Sequence, residues 1–119
     1  MRTDKPWGHE IRWAITEKYL GKILHINPSQ RLSRQYHEVK DESIYVLTGI
    51  LVLEIGQDSE RNNKPEKTII LETGDSYRIQ PGTIHRFCAP MDCFVRLIEV
   101  STPEIDDVVR LQDDYGRTK

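Results

Sequence analysis

Two histidines, a glutamate and a glutamine in this sequence have the types and spacing of a metal site. Gln35 and His37 are two residues apart, so on a β-strand their side chains share one face. Glu42 follows in the next segment, and His85 stands just after the turn-forming run at 80–82. Two imidazoles, a carboxylate and an amide carbonyl suit one divalent ion. We expect Zn²⁺ first, with Mn²⁺, Fe²⁺, Co²⁺ or Ni²⁺ as alternatives, and such an ion would polarise substrate oxygens.

Spacing alone leaves a simpler interpretation open for these side chains. The chain has 4 histidines, and histidines of small domains more often form ordinary hydrogen bonds or lie on the surface than bind a metal. Glu42 could be an exposed charge at a strand end, and Gln35 simply a polar residue. His9 and His25 have no partner at ligand spacing, so we interpret them as structural.

Short apolar segments rich in β-branched residues must position the candidate ligands. Turn-forming clusters separate them at the intervals typical of all-β sandwiches and barrels. The predicted strands are residues 11–15, 19–26, 32–36, 44–47, 50–55, 68–71, 77–79, 84–87 and 94–100. A weak helical pattern is present only at 103–111, where Ile105, Val108 and Val109 could line one face of a short helix. We therefore predict N-terminal strands over 1–27, a barrel core over 28–102 and a C-terminal helix or tail over 103–119.

Whole-chain composition excludes several classes of function. A length of 119 residues is typical of one domain, and the formal net charge of −2 offers no basic surface for nucleic acid. The start of the chain has no apolar run, and no stretch is long enough to cross a membrane. Cys88 and Cys93 do not form a disulfide framework or a Cys-x-x-Cys motif. We expect a cytoplasmic protein without nucleic-acid or membrane partners.

Two motifs resemble those of the cupin superfamily. Residues 35–49 read Gln-x-His-x₄-Glu-x₆-Gly, like the first cupin motif with glutamine in place of its first histidine. Residues 74–85 contain Gly-Asp followed by Pro-Gly-x₂-His, like the second motif with the proline one place late. The resemblance implies an all-β, single-domain cupin, a double-stranded β-helix or jelly-roll barrel. It also implies a metal inside the barrel mouth, bound by Gln35, His37, Glu42 and His85.

A narrower resemblance covers nearly the whole chain. Residues 5–8 (Lys-Pro-Trp-Gly), 32–37, 81–86 and 109–117 are similar to the C-terminal domain of type II mannose-6-phosphate isomerases. In that family the domain follows a mannose-1-phosphate guanylyltransferase domain, which has no counterpart in these residues, so we do not expect nucleotide-sugar synthesis. The Gln-x-His pair also resembles the zinc site of type I phosphomannose isomerases.

The resemblance implies an isomerase that interconverts mannose 6-phosphate and fructose 6-phosphate. Such a reaction needs a metal, a cation for the phosphate and a general base. Arg78, Arg86 and Arg96 could each hold the phosphate, and Arg86 is our first candidate because it follows a ligand and matches the family. Lys40 is a second candidate catalytic residue, and it replaces an arginine of the family. The sequence does not distinguish which of four nearby residues would be the general base: Tyr36, Glu38, Lys40 or Asp41.

Two alternative functions remain at this stage. A non-catalytic, metal-containing cupin could bind a sugar or sugar phosphate, an interpretation favoured by the replacement of the family's His-Trp by Ser43-Ile44. A cupin oxidoreductase acting on a small molecule is disfavoured by the glutamine ligand and the isomerase-like tail. In each case we expect a small-molecule ligand and a homodimer, because an open barrel leaves strand edges that need covering.

Overall fold

The computed structural model describes residues 1–57 and 64–118, and every regular element within them is a β-strand. Nine strands overlap the nine predicted segments, whereas the first and last were not predicted. The described part of the chain has no helix that could cross a membrane. The strands are β1 (Arg2–Lys5), β2 (Gly8–Ile15), β3 (Leu20–Ile26), β4 (Arg34–Tyr36), β5 (Glu42–Thr48), β6 (Leu51–Ile55), β7 (Lys67–Leu71), β8 (Ser76–Ile79), β9 (His85–Cys88), β10 (Val95–Ser101) and β11 (Val109–Gln112).

The strands form two antiparallel sheets that share one core. The six-stranded sheet has the order β1-β2-β3-β10-β5-β8, and the five-stranded sheet has the order β11-β4-β9-β6-β7. Side chains alternate in and out along β10, so Val95 and Leu97 are buried while Arg96 is exposed. They meet Leu53 and Phe87 of the other sheet in one apolar cluster. Each such side chain stabilises the fold by roughly 1.5–3 kcal/mol.

The inward-facing rows of two strands run from this core into a polar region. On β10 the row continues from Leu97 to Glu99, and on β5 it runs from Ile44 back to Glu42. Glu42 and Glu99 are both buried, and Glu99 pairs in register with Ile44. The same alternation that builds the core therefore places carboxyl groups inside the barrel.

Of the helix or tail predicted over 103–119, the helix alternative at 103–111 is wrong, since this segment contains no helix. Residues 109–112 instead form β11, which pairs antiparallel with β4 through Val109 and Tyr36, and through Arg110 and Gln35. The strand β4 would otherwise leave backbone groups unpaired at a sheet edge, and β11 supplies their partners. This tertiary pairing outweighs the weak helical pattern of the segment.

The turn between β5 and β6 explains the glycine of the first motif. Gly49 has a φ of 90°, which glycine adopts without steric cost. A Cβ at this position would lie 2.6 Å from the backbone oxygen of Phe94. Both cysteines are free, as the sequence indicated: Cys88 is buried and Cys93 is exposed.

Candidate metal centre and substrate cavity

Three of the predicted ligands come together inside the barrel. His85 opens β9, Glu42 opens β5, and His37 directly follows β4. One ligand atom from each lies within 4.8 Å of the others, and the three residues are at most 2% exposed. The imidazole rings of His37 and His85 have their centroids 5.2 Å apart. The cluster therefore has the composition of a small divalent-metal site.

Hydrogen bonds to backbone carbonyls orient both imidazoles. His37 Nδ1 lies 2.5 Å from the carbonyl oxygen of Asp107, and His85 Nδ1 lies 2.9 Å from that of Thr83. A carbonyl oxygen only accepts, so each Nδ1 is the donor and carries the hydrogen. In the neutral ring Nε2 then presents its lone pair, as in histidines that bind metals.

The Nε2 atoms of His37 and His85, and Oε1 of Glu42, are buried without a hydrogen-bond partner. His37 Nε2 nevertheless lies only 2.9 Å from Glu42 Oε1. Two lone pairs at this distance repel one another unless a proton or a cation lies between them. These three unpartnered atoms, each with a free lone pair, therefore fit the ligand positions of a divalent metal ion.

Electrostatics favour the same protonation states. Burial raises the pKa of Glu42, but its interactions with His37, His85 and Lys40 outweigh burial and bring the pKa down to about 2. Burial lowers the pKa of His85, which keeps this imidazole neutral. A carboxylate and a neutral imidazole are the forms that bind a metal.

Gln35, the fourth predicted ligand, lies beside the cluster. It pairs across the sheet with His85 on one side and with Arg110 on the other, and it lines the central cavity. Its Oε1 accepts a hydrogen bond of 2.7 Å from the Ser33 hydroxyl, which leaves a second lone pair on that oxygen. Its role as a ligand stays a prediction.

The cluster opens into a cavity of about 460 Å³, a volume typical of small-molecule sites. Its wall is dominated by charged side chains, with an apolar part formed by Trp7, Leu24, Leu32, Ile105 and Val108. The cations are Lys5, Arg12, Lys22, Lys40, Arg110 and Arg117, and the acids are Glu10, Glu42, Glu99 and Asp106.

Three of these acids, Glu10, Glu99 and Asp106, were not anticipated from the sequence. Burial and the nearby Glu42 raise the pKa of Glu99 to about 8. Burial also opposes the charge of Glu10, yet the hydrogen bond from Arg12, at 2.8 Å, leaves its pKa below the ordinary value. For Glu99 a signal was available, since it continues the inward-facing row of β10.

Lys40, the second residue predicted to be catalytic, lies beside the cluster. It is 5% exposed, it lines the cavity, and its Nζ lies 3.5 Å from Glu42 Oε1. Tyr36, Glu38 and Asp41, the other residues considered as bases, are not among the residues lining the cavity, and Asp41 pairs with Arg78 at 2.6 Å on the surface.

Asp107 supports the loop that carries His37 and Lys40, and sequence reasoning missed it. Its carboxylate accepts backbone hydrogen bonds of 3.0, 2.8 and 2.8 Å from Glu38, Val39 and Lys40. These three bonds lower the pKa of Asp107 to about 2. One residue thus fixes the loop through its side chain and the His37 ring through its carbonyl.

Arg86 does not reach the cavity. Because His85 and Phe87 point into the barrel, the residue between them points to the other face of β9. There Arg86 Nε donates to the carbonyl oxygen of Leu32 at 2.8 Å, and its guanidinium lies 3.0 Å from Asp114. It is absent from the cavity wall. The placement of Arg86 therefore argues against the phosphate-binding role predicted for it, and indicates that it attaches the C-terminal segment.

Comparison with known proteins gives one family and several relatives. The family described as "Mannose-6-phosphate isomerase C-terminal" matches residues 1–113. The xanthan biosynthesis protein XanB of Xanthomonas campestris is 29% identical over 117 residues, which are 96% of this chain and 23% of that protein. A mannose-1-phosphate guanylyltransferase of Escherichia coli is 32% identical, over 95% of this chain and 22% of its own length. The chain thus spans less than a quarter of these relatives.

Solved structures confirm the predicted cupin fold. KdgF from a Halomonas species superimposes with a TM-score of 0.73 at 19% identity, covering 89% of this chain and 90% of its own. An RmlC-like cupin from Shewanella frigidimarina gives 0.72 at 14% identity, over 89% and 86%. A sugar phosphate isomerase of the cupin superfamily from Silicibacter pomeroyi gives 0.71 at 18% identity, over 87% and 64%. At these identities the likeness concerns the fold alone.

Proposed function

The chain belongs to the mannose-6-phosphate isomerase C-terminal family, and from this premise we propose that it isomerises a sugar phosphate with the help of a bound divalent metal. Mannose 6-phosphate and fructose 6-phosphate are the proposed pair. The observation that carries the proposal is the cluster of His37, Glu42 and His85, whose buried donor atoms lack hydrogen-bond partners and adjoin a charged cavity.

His37, Glu42 and His85 would hold the metal, with Gln35 beside them, and Zn²⁺ suits this donor set best. When bound, the metal would polarise the carbonyl and hydroxyl oxygens of the open-chain sugar. Lys40 adds a positive charge next to the cluster, which favours negative charge that develops on those oxygens. The small exposed fraction of these side chains keeps water from weakening the interaction.

Isomerisation also moves a proton between C1 and C2, so a proton-accepting side chain must reach the sugar. Among the bases considered from the sequence, only Lys40 lines the cavity. The cavity adds Glu10 and Glu99. Glu10 is held by Arg12 at 2.8 Å, whereas no cation lies within ion-pair distance of Glu99 among the described residues. Single glutamine variants of the two acids, compared by kcat at saturating substrate, test which one takes part.

The test is a coupled assay for conversion of mannose 6-phosphate, on protein whose metal content has been quantified. We expect turnover that stops on chelation and returns with Zn²⁺, Mn²⁺ or Co²⁺. His85→Ala should lose both metal and turnover. His9→Ala is the matched control, because His9 stacks on His25 away from the cavity and should leave both unchanged. Absence of turnover at one metal per chain would overturn the proposal.

A second candidate is a cupin that binds a sugar phosphate without converting it. Ile44, which stands where the family has an aromatic residue, is 1% exposed and packs in the apolar core, so it adds no polar group to the cavity. If this alternative holds, mannose 6-phosphate raises the melting temperature of the metal-loaded protein, but the coupled assay detects no conversion of it.

A further inference from the structure

Four of the six cations in the cavity wall are already engaged by carboxylates. Three carboxylates are shared among these four cations, so the positive charge of the four is partly compensated within the protein. The pairs are Arg12 with Glu10 at 2.8 Å, Lys22 with Glu10 at 3.9 Å, Lys40 with Glu42 at 3.5 Å, and Arg117 with Asp113 at 2.8 Å.

The other two cations of the cavity wall are Arg110 and Lys5. Neither makes a side-chain hydrogen bond or a close ion pair with any residue in the described part of the chain. The Nε atom of Arg110 is buried and has no partner at all. A buried donor on a charged group is costly to leave unsatisfied, so such an atom indicates a missing acceptor.

Strand register places Arg110 in line with the candidate metal centre. Arg110 on β11 is the direct partner of Gln35 on β4, and Gln35 is the direct partner of His85 on β9. Two strand spacings, about 10 Å, therefore separate the backbones of Arg110 and His85. Arg110 lines the cavity together with His37 and Glu42, so the cavity adjoins both Arg110 and the cluster.

We propose that Arg110, assisted by Lys5, binds the phosphate group of the substrate, with the reacting carbons of the sugar lying at the His37, Glu42 and His85 cluster. This inference rests on the proposed function and names the residues that select a phosphorylated sugar. The guanidinium fork matches two phosphate oxygens at once, and Lys5 adds a second positive charge. Arg110 thereby takes the role that sequence reasoning assigned to Arg86.

The segment that carries Arg110 is held firmly in place. Downstream of β11, Asp113 accepts three bonds from Arg117, at 2.7, 2.8 and 2.9 Å, and Tyr115 donates to Gln30 at 2.6 Å. Asp114 pairs with Arg31 at 2.6 Å. These anchors pre-organise Arg110, so little entropy is lost when phosphate binds.

Calorimetric titration of the metal-loaded full chain tests the inference without relying on turnover. The ligands are mannose 6-phosphate and mannose, and the variants are Arg110→Gln, Arg110→Lys and Lys5→Gln. Arg96→Gln is the matched control, because Arg96 is exposed on the outer face of β10.

We expect Arg110→Gln to weaken mannose 6-phosphate binding 10- to 100-fold while mannose binding and metal content stay unchanged. Arg110→Lys should recover part of the loss, Lys5→Gln should weaken binding about 3- to 10-fold, and Arg96→Gln should have no effect. Where turnover is measurable, the loss in Arg110→Gln should appear mainly as a higher KM.

The outcomes separate the two proposals. Equal affinity of the wild type and both Arg110 variants for mannose 6-phosphate would overturn the inference, even if the enzyme turns over. So would a wild type that binds mannose as tightly as its phosphate. Arg110-dependent binding without any turnover would uphold the phosphate site and overturn the isomerase. Melting curves of Arg110→Lys, which retains the charge, show whether a loss in Arg110→Gln reflects unfolding.

Discussion

Replacing Asp107 by asparagine should loosen the loop between two residues of the metal cluster, His37 and Glu42. Oδ2 of Asp107 accepts the backbone N–H groups of Val39 and Lys40, and Oδ1 accepts that of Glu38. An asparagine side chain has the same shape but only one accepting oxygen, so it must give up one or two of these bonds. The backbone bond that orients His37 then depends on a less ordered support.

The cost follows from the number and exposure of these bonds. A hydrogen bond to a charged acceptor contributes ~1.5–3 kcal/mol where water is excluded. The carboxylate of Asp107 is accessible to water, which reduces each bond to ~1 kcal/mol. Loss of two bonds therefore lowers the free energy of unfolding by about 2 kcal/mol. For a chain of this size that corresponds to a fall in melting temperature of about 8 °C.

The pH dependence provides an independent check. Backbone hydrogen bonds lower the pKa of Asp107 to about 2 from an ordinary value of 3.8. A carboxyl group with a lowered pKa stabilises the fold above its ordinary pKa, and this contribution disappears as the pH falls through the folded value. The difference between wild type and Asp107→Asn should thus be complete at pH 7 and should shrink between about pH 4 and pH 2.

Thermal unfolding of the metal-free protein, followed by circular dichroism from pH 7 to about pH 2, measures both effects. Asp106→Asn is the control, because it removes the same charge one residue away, and Asp106 accepts no side-chain hydrogen bond of this kind. The reasoning would be refuted if the two variants melted alike at pH 7, or if the gap stayed constant on acidification. Metal titrations should show 10- to 100-fold weaker binding in Asp107→Asn.

Three further predictions follow from the same contacts. His85→Ala should abolish the rise in melting temperature that Zn²⁺ produces, which for the wild type corresponds to about 2.7 kcal/mol at a free metal concentration of 100 times Kd. Arg86→Gln should lower the free energy of urea unfolding by ~2–3 kcal/mol, because Leu32 and Asp114 lose a buried partner, while calorimetry shows unchanged sugar-phosphate affinity. Glu99→Gln should flatten the stability profile of the metal-free protein between about pH 4.5 and pH 8. Burial and Glu42 raise the pKa of Glu99 to about 8, so the wild type loses stability across that range as the pH rises, and urea unfolding at pH 5 and pH 8 detects the difference.

Much of the fold was predictable because it depends on local patterns. β-branched segments between turn clusters predicted nine strands, including β10, whose alternation of buried and exposed residues is regular along its length. His37, Glu42 and His85 were predictable as a cluster because two short motifs fix their positions at the ends of strands from both sheets. Such motifs constrain the backbone and the chemistry together.

The missed features depend on tertiary pairing. β1 reads Arg-Thr-Asp-Lys, with no apolar alternation, and it is a strand because β2 offers it an edge. The position of Arg86 outside the cavity wall was not anticipated, because adjacency to His85 in sequence was given more weight than alternation, which puts neighbours on opposite faces of a strand. The three bonds of Asp107 span about seventy positions in the chain, so no local pattern could show them.

Residues 109–117 combine a recognisable local motif with a role that depends on tertiary pairing. The sequence indicated only that they resemble the family, and a short helix or tail outside the barrel would have no chemical role. As β11, the same residues close the sheet next to Gln35 and bring Arg110 into the cavity wall. Asp107, just before β11, supports His37 from the same segment. A segment that binds the substrate's phosphate at one point and steadies a metal ligand at another couples the two ends of the cavity. Loss of the β11 pairing should therefore weaken metal binding and phosphate binding together, although no ligand atom of the metal cluster lies in the tail.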